Sequence, residues 1–200
     1  MKLHGQVALV VIDVQKGEVT PQDSGIPHMD GGAERHARIR ALVGGARAAA
    51  VPVVFIQEVH KPTLTDIGRE LDGAEGIHCI EGDLATELAD GLEPRPDEYL
   101  IRKRRYSAFF ATELELILKS YGARTLILVG ALTDVCVHYT FADAHQHDYH
   151  CRVVVDCVGG SSRRAHDAAL EAMAYLQRDC RVTSSDALAA FAAMRAMAVG

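Results

Sequence analysis

The stretch Val7 to Val14, VALVVIDV, is apolar at every position except Asp13. A strand with one wet face alternates apolar and polar residues, whereas an unbroken Val/Leu/Ile run needs cover on both faces, the condition of a strand inside a parallel sheet. Similar runs recur at Val53 to Ile56, Tyr99 to Ile101, about Thr125 to Val129 and Arg152 to Val155, with Arg181-Val182 as a short sixth. Helix-suited segments separate them: Ala33 to Ala50, stopped by Val51-Pro52; Phe110 to Tyr121, stopped by Gly122; Asp134 to about His147; Ser161 to Gln177; and Ser185 to about Met197. In the second of these, Phe110, Leu114, Ile117, Leu118 and Tyr121 share one face; in the fourth, Ala169, Leu170, Met173 and Leu176 do. Asp83 to Leu92 reads as a further short helix closed by Pro94 and Pro96. Strands alternating with helices predict an α/β fold of three layers, α/β/α, around a central, mainly parallel sheet of about six strands, as one domain over residues 1–200.

Chemistry in such a sheet gathers at the carboxyl ends of the strands. Asp13 closes the first strand, and Gln15 points the same way if that strand continues. Lys103 follows the third. The fourth runs into Gly130-Ala131-Leu132, after which Thr133 or Asp134 can cap a helix carrying Cys136 in its first turn. A thiol there meets unpaired backbone N–H groups and the positive end of the helix dipole, which favour thiolate. A buried cysteine packed under the sheet is the structural alternative.

Composition narrows the function classes. A net charge of −6 and one short basic cluster, Arg102 to Arg105, argue against nucleic acid, and small molecules are the better expectation. No stretch approaches the length needed to cross a bilayer, so no membrane partner is expected and a cytoplasmic chain is. The five cysteines show neither CxxC nor zinc spacing, and reduced thiols are the default.

Three segments, VIDVQ with Asp13, KRRYSAFFATEL with Lys103 and VGALTDVCVHYTFADA with Cys136, together with VVDCVGG on the fifth strand, resemble the isochorismatase-like cysteine hydrolases. That group includes nicotinamidases, N-carbamoylsarcosine amidohydrolase, and biuret and ureidoacrylate hydrolases. The resemblance implies a Rossmann-like, isochorismatase-like fold and a catalytic triad of Asp13, Lys103 and Cys136. It also implies a non-proline cis peptide at Ala131-Leu132, aiming the N–H of Leu132, with that of Cys136, at a substrate oxygen as an oxyanion hole. A homo-oligomer is expected on the same ground. Gln15, Glu58, His60, Tyr106 and Thr133 are candidate substrate-binding residues.

Nicotinamidases carry a metal beside the triad, and this chain offers Glu58-Val59-His60, Asp66 and His78-Cys79 in comparable places. Glutamate replaces their aspartate, and Asp66 stands where they have histidine. The favoured reading assigns no metal ligand: Glu58, His60 and Arg69 shape the pocket or an interface through polar contacts, and the triad requires no cofactor. A divalent metal near Glu58, His60 and His78 is the alternative. The long polar stretch from Lys61 to Gly82 is expected to be functional or mobile, as a lid or an interface. His145, His147 and His150 are expected at the surface, and Phe109 in the core.

The resulting expectation is a cysteine hydrolase cleaving a C–N amide, carbamoyl or ureido bond of a small molecule through a thioester. Two alternatives remain: an isochorismatase-type vinyl ether hydrolase, against which Cys136 counts, and a non-catalytic binding protein on the same fold, which requires an unreactive Cys136.

Overall fold

A computed structural model describes residues 1–19 and 25–199. Six strands, β1 (Gln6–Ile12), β2 (Val53–Glu58), β3 (Tyr99–Lys103), β4 (Ala123–Ala131), β5 (His150–Gly159) and β6 (Arg181–Val182), form one sheet in the order β3-β2-β1-β4-β5-β6. Every pairing is parallel. The winding direction reverses between β1 and β4, and the two chains diverge there to leave a crevice beyond their carboxyl ends.

Five helices cover the sheet: α1 (Gly32–Ala48), α2 (Leu114–Ser120), α3 (Cys136–Gln146), α4 (Arg163–Leu176) and α5 (Ser184–Val199). The period-two geometry of β1 divides the cover. Val7, Leu9 and Val11 pack with Ile39, Leu42 and Val43 of α1 and Phe191 of α5. Ala8, Val10 and Ile12 pack on the opposite side with Leu114 and Leu118 of α2, Val137 and Phe141 of α3 and Met173 of α4. The apolar character of the whole run thus follows from burial on both faces. Gly130 takes φ +117° where β4 passes β1, and a Cβ there would stand 1.9 Å from the carbonyl oxygen of Ile12. Only glycine permits that approach.

Several local expectations are corrected. Asp83 to Leu92 is no α-helix: a single 3-10 turn spans Leu84–Thr86, because the segment turns back to bond Gln15 and Lys16 rather than packing a helical face. The second helix starts at Leu114, not Phe110, whose ring is exposed; Thr112 instead ties the preceding turn to Ala108. Leu176 also faces solvent. β1 stops at Ile12, so Asp13 and Gln15 are not strand neighbours. Phe109 is partly buried and stacks with His147, while His150 opens β5 and stacks with His4 at 3.8 Å. No described helix is long and apolar enough to cross a membrane.

Candidate active site

Four adjacent strands converge on one small, partly open cavity. Asp13, Gln15, Glu58, Tyr106, Ala131, Leu132 and Cys136 line it, as do Ile26, His28, Glu75, Cys79 and Val135. Asp13 takes φ +49° just beyond β1, with its N–H donating to the carbonyl of Ile56 at 3.0 Å. A left-handed turn is costly for most residues and least unusual for Asp and Asn. It turns Asp13 into the crevice, where strand alternation alone would not have paired it with Gln15.

Lys103 ends β3 on the same face as Ile101, an alternation that buries both. Its ammonium lies 2.8 Å from Asp13 Oδ2, donates to Glu58 Oε2 and reaches Cys136 Sγ at 3.4 Å. The reactive atoms of Asp13, Glu58 and Cys136 all fall within 4.8 Å of one another. Burial alone would lower the lysine pKa, but Asp13, Cys136 and Glu58 together hold it well above its ordinary value. Burial likewise works to raise Glu58, yet Lys103, His60 and His78 hold this carboxyl well below the carboxylate range. Asp13 is pushed up to about 6, first by burial and also by Glu58, against the pull of Lys103.

Cys136 is the first residue of α3, after the cis peptide Ala131-Leu132. Its backbone N–H belongs to the first helical turn and has no intrahelical acceptor. The helix start and Lys103 favour thiolate, as expected from the sequence, but burial, reinforced by Glu58 and Asp13, outweighs them and pushes the thiol well above its ordinary pKa. Thr133 and Asp134 do not cap the helix either, since Val135 occupies that position. Thr133 is fully buried away from the cavity, its hydroxyl 2.9 Å from His166 Nδ1, and Asp134 accepts from the N–H and hydroxyl of Ser161 at 2.8 and 2.6 Å. These contacts tie the nucleophile turn to the end of β5.

The side-chain amide of Gln15 is fully engaged with protein. It donates to the carbonyls of Glu58 at 3.1 Å and Thr86 at 2.8 Å and accepts from Glu58 N–H at 3.2 Å. Gln15 therefore braces the end of β2. Tyr106 lines the cavity with its ring 5.6 Å from that of Tyr139.

His60 lies behind the cavity wall rather than in it. Its Nε2 is 3.2 Å from Glu70 Oε2 and 3.5 Å from Glu58 Oε1; His78 Nε2 is 3.1 Å from Glu58 Oε1 and 3.4 Å from Glu70 Oε2. Burial works to lower both imidazoles, but Glu58 and Glu70 raise His60 to about 9 and His78 to about 10. Neither ring nitrogen of His60 and neither carboxyl oxygen of Glu70 has a hydrogen-bond partner among the described residues, although all are buried. One ligand atom from each of Glu58, His60, Glu70 and His78 lies within 4.8 Å of the others. Two imidazoles and two carboxylates with convergent atoms, those of His60 and Glu70 lacking a hydrogen bond, fit a divalent cation.

Asp66 lies 3.8 Å from His60 Nδ1 at the edge of the cluster, bonded by Arg104 and the N–H of Lys61, whereas Arg69 is a solvated side chain paired with Asp72. Glu70 and Glu75 carried no sequence signal beyond their place in a long polar loop, because irregular backbone has no period to read.

The isochorismatase domain family matches residues 7–187. A ureidoacrylate amidohydrolase RutB of Methylobacterium radiotolerans is 30% identical in an alignment of 182 residues that covers 81% of this chain and 70% of that protein. An isochorismatase-like hydrolase from Alkaliphilus metalliredigens superposes with TM-score 0.82 at 25% identity, covering 94% of this chain and all of that one. An N-carbamoylsarcosine amidase from Thermoplasma acidophilum superposes at 0.75 with 26% identity over 90% and 96% of the two chains. A match that spans the sheet from β1 into α5, both crevice-forming strands included, places this chain in the isochorismatase family.

Proposed function

We propose that this chain, working as one hydrolase domain, is a cysteine amidohydrolase that cleaves a C–N amide, carbamoyl or ureido bond of a small molecule. The observation that carries the reading is the set of contacts made by Lys103, whose one ammonium meets Asp13, Glu58 and Cys136 at the cavity floor. A carboxylate with a pKa of about 6 is a stronger proton acceptor than an ordinary one and still returns the proton readily.

Asp13 takes the Sγ proton as Cys136 attacks the substrate carbonyl, and a C–S bond forms. Lys103 stabilises the sulfur as its charge develops, and the N–H groups of Cys136 and Leu132 receive the oxyanion. Asp13 then gives its proton to the departing nitrogen as the C–N bond breaks. For the second half, Asp13 takes a proton from water, the resulting hydroxide adds to the thioester carbonyl, and the C–S bond breaks with return of the proton to sulfur. Tyr106 borders the substrate and Gln15 holds Glu58 in place.

The same proposal includes a divalent cation at Glu58, His60, Glu70 and His78, supported by the convergence of their ligand atoms and by the buried atoms of His60 and Glu70 that lack a hydrogen bond. When bound, it supplies a fixed positive charge able to polarise an oxygen ligand. Cytoplasmic residence is supported by five free cysteines, and a homo-oligomer by the exposed Phe110, Leu116 and Tyr139.

The experiment is ammonia release from a panel of small amides and ureido compounds, with wild type, Cys136→Ala and Asp13→Asn. Release abolished in both variants supports the proposal; release that survives in Cys136→Ala refutes it.

A further inference from the structure

The cavity around Cys136 is short of positive charge. Asp13, Glu58 and Glu75 line it, and Glu70 stands directly behind Glu58. Against these four carboxyls are one ammonium, Lys103, and the imidazoles of His60 and His78 behind the wall, while burial holds the lining imidazole of His28 below its ordinary pKa. No arginine or lysine side chain borders the cavity among its described lining residues.

The sequence does supply cations beside Lys103, but the fold turns each of them away. Arg102 lies 3.5 Å from Glu81, Arg104 binds the carboxylate of Asp66 at 2.7 Å, and Arg105 donates to the carbonyl of Asp66 at 2.7 Å. Arg35 is buried against Glu18 and the carbonyls of Met29 and Asp30. Lys103 itself is fully enclosed and engaged with Asp13 and Glu58. Glu75 is the lining carboxyl outside that ion pair: its nearest cationic partner is His78 at 3.8 Å, and its side chain is 15% exposed.

Ureidoacrylate and N-carbamoylsarcosine, the compounds named for two relatives, both bear a carboxylate. Burying a carboxylate requires a cationic fork or ammonium to receive it. We propose that this cavity selects uncharged or cationic amide and ureido compounds against carboxylate-bearing ones, with Glu75 as the specificity-determining residue. That such compounds are turned over rests on the hydrolase reading; the charge selection does not.

A matched pair of thiol reagents tests the selection without turnover. Iodoacetamide is neutral and iodoacetate anionic, and mass spectrometry of the Cys136 peptide gives the alkylation rate by each. The expected iodoacetamide-to-iodoacetate ratio at Cys136 exceeds that of glutathione by roughly tenfold or more, from like-charge repulsion in a partly enclosed site. Glu75→Gln narrows it several-fold, and Glu75→Lys narrows it further. A wild-type ratio equal to that of glutathione overturns the proposal, as does a Cys136 that neither reagent modifies, because a cavity closed to both selects nothing. An unchanged ratio in a Glu75→Gln protein that melts like wild type overturns the assignment to Glu75. A parallel hydrolysis arm compares propylurea with 3-ureidopropionate and butyramide with succinamate. Hydrolysis of the carboxylate-bearing members as fast as the neutral ones also overturns the selection. Hydrolysis of none, with the alkylation ratio intact, removes the hydrolase reading and leaves the selection standing.

Discussion

Glu58 and Lys103 are register partners at the carboxyl ends of neighbouring parallel strands, and their side chains meet in a buried ion pair at the cavity floor. One oxygen of Glu58 faces Lys103 and Cys136 while the other faces His78 and His60. A single side chain thus couples the cavity floor to the histidine and glutamate cluster behind it.

Removing the ammonium strips Asp13 of its buried counter-charge and leaves Glu58 with only His60 and His78 beside it. Lys103→Met should therefore destabilise the fold by about 3–5 kcal/mol, besides abolishing activity. Urea unfolding of Lys103→Met and of Lys103→Met combined with Glu58→Gln measures this, and the double variant should recover part of the loss.

Acid should switch the enzyme off through Asp13. This group must be ionised to accept the thiol proton, and its pKa of about 6 lies above the ordinary aspartate value. Activity is full above that pKa and is lost as the pH falls through it, so kcat/KM should drop with a slope of one below about pH 6. Lys103 is held well above its ordinary range and adds no alkaline limb near neutrality. A kcat/KM profile flat down to pH 4.5 would remove Asp13 as the base.

Metal content should follow the histidines. Protein loaded with zinc or manganese and then desalted should retain about one ion per chain, and His60→Ala, His78→Ala and Glu70→Ala should each weaken retention at least tenfold. Elemental analysis together with melting temperature before and after chelation reads this without an activity assay. Loss of metal should lower the melting temperature, since a ligand held only by the folded state stabilises it.

Gly130→Ala should be among the most damaging changes in the chain. The new Cβ meets the backbone of β1, which cannot rotate aside, at a φ that alanine resists. A loss above about 3 kcal/mol is expected by thermal unfolding, beyond the usual range for single substitutions.

The sequence by itself determined the layers of this protein. An apolar run as unbroken as Val7 to Ile12 folds only where both faces are covered, and that condition with its alternating helices sets a doubly wound parallel sheet. The sequence also placed Asp13, Lys103 and Cys136 at or just beyond the carboxyl ends of strands, and the family resemblance of their motifs implied that they act together. Only the tertiary structure decided what surrounds them. Glu70 and Glu75 come from irregular backbone without periodicity, and the left-handed turn that aims Asp13 leaves no mark in composition. The protonation of Cys136 was likewise beyond the sequence, since a thiol's charge depends on burial and on carboxylates 78 and more residues away in the chain. Distances between groups far apart in sequence set those electrostatics, and such distances exist only once the chain has folded.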